Sequence, residues 1–187
     1  MEAVGRDFDR YDPICDHLLV VDRNANDGYG AIVGCYRLLR GEVAQRHGGF
    51  YTAGEYDIAP MLAKAGKNTR FLELGRSCVL KAYRTGPTMQ LLWRGLLVYL
   101  WGHKIDVMFG CASLPGVDPQ AHAMTLAYLY HYHLAPPELR VRALPALYQS
   151  MDLVPKDQIV EAEAQRLLPP LVKGYVRSGA YVGDGAV

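Results

Sequence analysis

Residues 71–112 constrain this 187-residue chain more than any other stretch. Phe71 to Lys81 (FLELGRSCVLK) reads as a strand, and Thr85-Gly86-Pro87 breaks the chain after it. Thr88 to Lys104 then reads as a helix apolar around most of its circumference, and Asp106 to Ala112 (DVMFGCA) as another strand. Strand, helix and strand in succession predict one parallel crossover. Pro87 suits the first helical turn, and such a helix is expected to lie buried against a sheet. The mostly apolar DVMFGCA run predicts a central strand. Gly75, followed by the exposed-type pair Arg76-Ser77, predicts a β-bulge in the middle of the first of these strands. A strand that runs into a Gly-containing turn and a helix N-terminus presents free backbone N–H groups and a positive dipole end, which can hold a phosphate. Many folds share that feature.

The chain before this unit reads as a hairpin. His17 to Asp22 (HLLVVD) and Ala31 to Leu39 (AIVGCYRLL) are strands, and Asn24 to Gly30 (NANDGYG) supplies the positive φ of a tight turn. Residues 41–69 are Gly-rich and irregular, with a short helix near Met61 to Ala65. Downstream, Asp118-Pro119 forms an N-cap and first position for a helix to about His133, which Pro136-Pro137 ends. Residues 156–168 and a short amphipathic segment from Pro169-Pro170 to Arg177 complete the helices, and the tail GAYVGDGAV ends on a turn. The length favours one domain, and the element order predicts a mixed α/β sheet with an antiparallel front.

Charge narrows the partners. The net charge is +1, so nothing polyelectrolyte points to nucleic acid. Residues 1–30 nevertheless carry seven acids against three arginines. An acidic mouth beside a mildly basic body suits a cationic substrate and an acidic protein partner, unless the asymmetry is only a solvated surface. Cys15, Cys35, Cys78 and Cys111 lack CxxC spacing and are expected to be small buried thiols in a reducing compartment. The acidic start MEAVGRDFDRYD lacks a signal-peptide pattern, and Leu91 to Trp101 is half a membrane span interrupted by Arg94. The expectation is a cytoplasmic protein, with membrane-surface contact through Leu167 to Tyr181 weighed against burial of that segment. His131 and His133 face different ways on a helix, so no metal site is expected.

The run FLELGRSCVLKAYR, with LLWRGLLVYLWGHKIDVMFGCASLPGVDP behind it, resembles the GNAT-superfamily ornithine N-acyltransferases of ornithine-lipid synthesis. It is more distantly similar to the acyl-homoserine lactone synthases. Asp9-Arg-Tyr-Asp12, CDHLLVVD at 15–22, RVRALPALY at 140–148 and LPPLVKGYVRSGAYVGDGAV at 168–187 extend the resemblance over nearly the whole chain. It implies an α/β, GNAT-like acyl-CoA N-acyltransferase fold, a mixed and mostly antiparallel sheet flanked by helices, as one domain over residues 1–187. It implies transfer of a 3-hydroxyacyl group from acyl carrier protein to the α-amine of ornithine, giving lyso-ornithine lipid. The phosphopantetheine of the carrier serves as acyl donor, and no cofactor is tightly bound. By the same resemblance the acidic pair of the D-x-Y-D motif falls on Asp9 and Asp12. The arginine of the following strand falls on Arg37, and the Glu and Arg of the central strand on Glu73 and Arg76. Family members carry elements before the D-x-Y-D motif and beyond GDGAV, so the chain is expected to be trimmed at both ends. Its rivals are another amino-compound acyltransferase, such as an acyl-homoserine lactone or N-acyl amino acid synthase, and a non-catalytic module that binds the carrier.

Attack on a thioester needs a neutral amine and a polarised carbonyl. Glu73, a carboxylate in an otherwise apolar strand, is the candidate base, acting through a water; the alternative is a structural ion pair with Arg76 or Arg37. In a regular strand Glu73 and Arg76 point to opposite faces. A bulge at Gly75 brings them to one side and aims main-chain N–H groups of Ser77, Cys78 and Val79 at the thioester oxygen. Ser77 as nucleophile is disfavoured, because no G-x-S-x-G elbow surrounds it. Asp9 and Asp12 either bind the cationic amino acid, anchor Arg76 or cap a helix. Arg37 either pairs with an acid or meets the substrate carboxylate. The turn Arg84-Thr85-Gly86-Pro87-Thr88 departs from the R-x-x-G-x-G/A loop that grips coenzyme A in the wider superfamily, because its final Gly/Ala position is not matched. That departure suits the single phosphate of phosphopantetheine, unless the divergence carries no meaning. Lys81, Arg84 and Arg94 either face the acidic carrier or are solvated.

Overall fold

The Asp27-Gly28 turn folds as its sequence requires. The computed structural model describes residues 7–84 and 86–187. Strand β1 (Asp16–Asp22) turns through a 3-10 segment at Asn26–Gly28 into β2 (Ala31–Arg40). Asn26, Asp27 and Gly28 all take positive φ there, which short polar side chains and glycine tolerate best. Along the chain follow α1 (Gly41–Arg46), β3 (Tyr56–Asp57), α2 (Ala59–Lys64), β4 (Phe71–Val79), α3 (Gly86–His103) and β5 (Val107–Phe109). Then come α4 (Ala123–His133), β6 (Arg142–Ala143), α5 (Glu161–Leu167) and α6 (Pro170–Arg177). Residue contacts group these into two compact units, each described by itself: residues up to 51 with 68–111, and 52–67 with 112–187.

The first unit holds a four-stranded sheet in the order β1-β2-β4-β5. The first three strands are antiparallel, and β5 joins β4 in parallel through the α3 crossover. Alternation divides the strands between two faces. Gly34, Tyr36 and Leu38 of β2 share a face with Leu18, Leu74 and Val79, because each pair is in register. Helix α3 lies on this face: the Leu92 side chain comes within 3.5 Å of where a Cβ on Gly34 would be, and Gly95 leaves room for Leu18. Leu92 and Leu96 are fully buried, each contributing about 1.5–3 kcal/mol through removal of apolar area from water. The helix ends as a Schellman motif. Lys104 takes φ +53°, its N–H reaches the Trp101 carbonyl, and the Ile105 N–H reaches that of Leu100.

Two expectations need correction here. Helix α3 buries only the stripe Thr88, Leu92 and Leu96, while Leu91, Leu97, Val98 and Trp101 are exposed. One sheet face can cover only one side of a cylinder. Strand β5 pairs with β4 alone and forms an edge of the described sheet, with Met108 40% exposed, so it is not central. The apolar run recorded partial burial, and burial does not count neighbours. The expectation of buried thiols also fails, because Cys15 and Cys35 are half-buried and Cys78 and Cys111 are exposed.

The second unit is built on α4. Leu126, Ala127, Tyr128 and Leu129 pack with Met151, Ile159, Ala164, Leu168 and Val172. The segment Leu167 to Tyr181 therefore buries its inner residues, as weighed from sequence. Asp118 Oδ1 accepts the Gln120 N–H at 2.9 Å and opens a 3-10 turn that leads into α4. Strands β3 and β6 pair antiparallel, and the tail runs extended, bridging Leu134, Arg142 and Gln149 through Val182, Asp184 and Ala186.

The crossover needs a bare backbone at Gly110, where a Cβ would run into the Leu74 carbonyl. Gly110→Ala is expected to lower stability by about 1–3 kcal/mol in urea denaturation, as overpacking against rigid backbone does. An unchanged midpoint would mean the two segments part freely.

Candidate functional site

The face of the sheet opposite α3 carries Cys35, Arg37 and Leu39 of β2 and Glu73, Gly75 and Cys78 of β4. Cys35 pairs with Cys78, whereas Arg37 pairs with Gly75, so Tyr36 alone stands opposite both Arg76 and Ser77. This is the expected bulge, with one extra residue on β4. Arg76 takes φ +47°, a left-handed conformation that costs a non-glycine residue about 1–2 kcal/mol. Removing one residue from the alternation brings the Arg76 side chain to the side of Arg37. Gly75 leaves the Arg37 guanidinium room to lie over the strand, 3.6 Å from where a Cβ would sit.

Both guanidinium groups meet one carboxylate. Arg37 Nη1 is 2.8 Å from Asp9 Oδ1 and 3.2 Å from Asp12 Oδ1. Arg76 Nη2 is 3.2 Å from Asp9 Oδ2, and its Nε is 3.1 Å from Asp7. Asp9 also accepts the Tyr11 N–H, while its own N–H goes to Asp12 Oδ2. The Tyr11 ring lies beside both Arg37 and the Tyr51 ring. Of the three roles weighed for Asp9 and Asp12, anchoring arginine is the one this geometry displays; Asp12 opens a 3-10 turn that has no side-chain cap. Burial alone would raise the Asp9 pKa. The Arg37 hydrogen bond, the Tyr11 N–H and the charges of Arg37 and Arg76 outweigh it and hold the carboxyl below its ordinary 3.8. Burial disfavours the charge on Arg37, but the bonds to Asp9 and Asp12 more than restore it.

Above these groups opens a cavity of about 330 Å³, lined by Asp7, Asp12, His17, Cys35, Tyr36, Arg37, Arg76, Ser77 and Cys78. Its lining carries two carboxylates, Asp7 and Asp12, and two guanidinium groups, Arg37 and Arg76, with Asp9 bridging the arginines beside it. Glu73 is only 5% exposed and does not line the cavity. Its Oε2 accepts the Tyr51 N–H at 2.9 Å. The neighbouring Cys15 thiol is pushed up to about 11, by burial first and by the charges of Glu73, Asp12 and Asp9, against the pull of Arg37. It stays protonated and is no thiolate nucleophile. Cys35 is likewise raised, chiefly by burial, and its thiol donates to the Arg76 carbonyl.

The β4–β5 ladder ends at Glu73↔Phe109. Beyond it, the outer edge of residues 74–79 has no strand beside it among the described residues. Ser77 and Cys78 lie on this free stretch at the cavity, while Val79 turns its side chain toward Gly34 and the α3 face. Arg84 Nε donates to the Val79 carbonyl at 3.0 Å and ties the following turn to the end of β4. Gly86 opens α3, and Thr85 lies outside the described residues. Lys81 and Arg94 are exposed. Sequence reasoning missed Asp7, Tyr11, His17 and Cys35 as site residues. The spacing of acids at 7, 9 and 12 was the available signal for the first.

A strand bulged beside a polar cavity, its ladder to the parallel neighbour ending before the bulge, suits the frame of an acyl-transfer domain. The chain belongs to the acetyltransferase (GNAT) domain family, whose sequence model matches residues 1–94. It is 53% identical over 184 residues to the L-ornithine N(alpha)-acyltransferase of Agrobacterium fabrum, covering 97% of this chain and 62% of that protein. The protein of that name from Rhizobium meliloti is also 53% identical over 184 residues, with the same coverage. That from Brucella abortus is 52% identical over 189 residues, covering all of this chain and 67% of the relative. The chain thus spans about 62% of the length of the first two relatives. No solved structure matches it.

The lowered Asp9 pKa fixes a sign for acid stability. A carboxyl depressed in the folded state stabilises above its ordinary 3.8 and loses that contribution as pH falls through the lowered folded value. Asp9→Asn is therefore expected to destabilise the protein at pH 7 and to flatten the fall of stability below about pH 4. Urea midpoints measured across that range check it; an unaltered acid slope would mean the pair adds nothing.

Proposed function

We propose that this chain carries the transfer site of an N-acyltransferase that moves a (3-hydroxy)fatty acyl group from acyl carrier protein to the α-amine of ornithine. The observation that carries the reading is the 52–53% identity, over nearly the whole chain, to proteins named for acylation of that amine. A cavity with the carboxylates of Asp7 and Asp12 beside a bulged strand edge supports it, since a cationic amino acid and a thioester oxygen need those two environments.

In this reaction the amine nitrogen attacks the thioester carbonyl carbon. A C–N bond forms, the C–S bond breaks, the carrier's phosphopantetheine leaves as a thiol, and one proton of the ammonium is released. Asp7 and Asp12 draw the ammonium groups of ornithine to the cavity. Asp9 and Arg37 act mainly as the scaffold that fixes Arg76 and the bulge. Those main-chain N–H groups along Ser77 to Val79 that face the free edge stabilise the developing oxyanion, a contribution of about 3 kcal/mol per donor. Glu73 takes the proton through a water, from its buried position two residues before the bulge. Arg84, Thr85 and Gly86 hold the single phosphate of phosphopantetheine at the start of α3, and no separate cofactor is required. A carrier-protein donor also sets the reaction in the cytoplasm.

Hydroxyacyl carrier protein and ornithine given to the purified protein are expected to yield free thiol and a ninhydrin-positive lipid. Failure with every amino acid tried would remove the reading, and a diffusible lactone product would replace it with signal synthesis. Glu73→Gln is expected to lower kcat by about 100-fold or more with the fold retained by circular dichroism. A mutant with full activity would displace Glu73 as base.

No described helix is long and apolar enough to cross a membrane. We infer instead a peripheral contact with an anionic bilayer surface through the outer face of α3. Leu91, Leu97, Val98 and Trp101 are exposed there, Trp101 by 88%, beside Arg94. No acid lies between Arg76 and Ile105 to oppose anionic headgroups. Trp101→Ser is expected to reduce co-sedimentation with phosphatidylglycerol vesicles. Equal sedimentation of mutant and parent would exclude this face.

A further inference from the structure

The second unit contains a cavity of about 360 Å³ that the transfer chemistry does not use. Its polar lining is Arg166 of α5, Lys173 and Arg177 of α6, and the trio Tyr128, His133 and Gln165. No carboxylate lines it. Lys173 and Arg177 are one helical turn apart and share a face of α6. Among the described residues, none of the three cations is in an ion pair; Lys173 Nζ reaches only the Arg166 carbonyl, at 3.4 Å. Glu161, the nearby acid of α5, is hydrogen-bonded to Tyr132 and stands outside the lining.

Two other basic side chains of this unit do have acid partners: His131 lies against Asp152, and Arg142 against Asp184. Three like charges that converge without an acid repel one another, and an anion removes that repulsion. Beneath them, the buried Tyr128 hydroxyl accepts from Gln165 Nε2 and bonds His133 Nε2, both at 3.0 Å. Gln165 and His133 are thereby held as oriented polar groups at the cavity floor. Leu168 and Val176 supply an apolar wall.

We propose that this cavity binds a phosphate ester. The phosphate lies among Arg166, Lys173 and Arg177, and the uncharged organic part lies against Leu168 and Val176. A dianion matches three converging cations better than a carboxylate does, and arginine forks suit phosphate oxygens. The site does not depend on the transfer reaction proposed above. Its ligand is either a soluble phosphate ester or the headgroup of an anionic lipid.

The full chain is titrated with inorganic phosphate, with 4′-phosphopantetheine, and with phosphatidylcholine vesicles with or without phosphatidic acid. Saturable binding that shifts the side-chain resonances of Gln165 and His133 is expected. The Arg166→Gln/Arg177→Gln double variant should weaken it by about ten-fold or more, as loss of charged hydrogen bonds does. The Lys64→Gln/Lys67→Gln variant removes the same charge outside the cavity and should leave it unchanged. Tighter binding of phosphopantetheine than of phosphate identifies the soluble ester, and binding only to phosphatidic acid vesicles identifies the lipid. Absence of saturable binding to every probe overturns the proposal, as does an equal loss in the lysine variant. Arg166→Lys/Arg177→Lys, which keeps the charge, should recover part of the affinity and separates lost binding from a lost fold.

Discussion

The carboxylate of Asp9, shared between Arg37 and Arg76, is the interaction on which the first unit's functional face depends. Arg37 is only 5% exposed, and a guanidinium cannot lie so deep in a protein without a hydrogen-bonded counter-charge. Asp9 and Asp12 provide it, and in doing so fasten the segment before β1 to the sheet. The other oxygen of Asp9 reaches Arg76, whose side chain arrives there only because the strand is bulged. Anchor, bulge and cavity therefore form one construction.

The edge of β4 across from β2 is only partly covered. Here the ladder with β5 stops at Glu73, and Gly110 crosses close to the Leu74 carbonyl. The released edge of β4 leads directly into the turn and the N-terminus of α3, so main-chain donors, an arginine-tied turn and a helix dipole follow one another within about ten residues. Backbone groups are suited to this work because their positions are set by the sheet and do not reorganise when charge develops.

Much of this was legible in the residues. Asp27-Gly28 marked the hairpin, Gly75 with Arg76 marked the bulge, and Asp118-Pro119 marked the start of the helix ending at His133. Each rests on local φ preferences or on a side chain reaching its own backbone, which sequence states directly. Other features were not. Cys78 was expected to be buried, yet the extra residue of the bulge turns it to the cavity. Nothing near Glu73 in the sequence announced that its carboxylate accepts the main-chain N–H of Tyr51, contributed by a loop 22 residues away. Helix α3, apolar around most of its circumference, was expected to lie buried against a sheet, yet the sheet covers one stripe only.

The sequence by itself determined the order of elements, the place where β4 departs from regularity, and the residue types available for binding an amine and a phosphate. These follow from backbone preferences and periodicity, which act within a few residues. Only the tertiary structure decided which acid neutralises which arginine, that Glu73 lies behind the cavity, that β5 is an edge, and that Arg166, Lys173 and Arg177 converge. Those outcomes depend on distances between segments far apart in the chain. Coulombic attraction and packing choose among the candidates only after the strands and helices have brought them together.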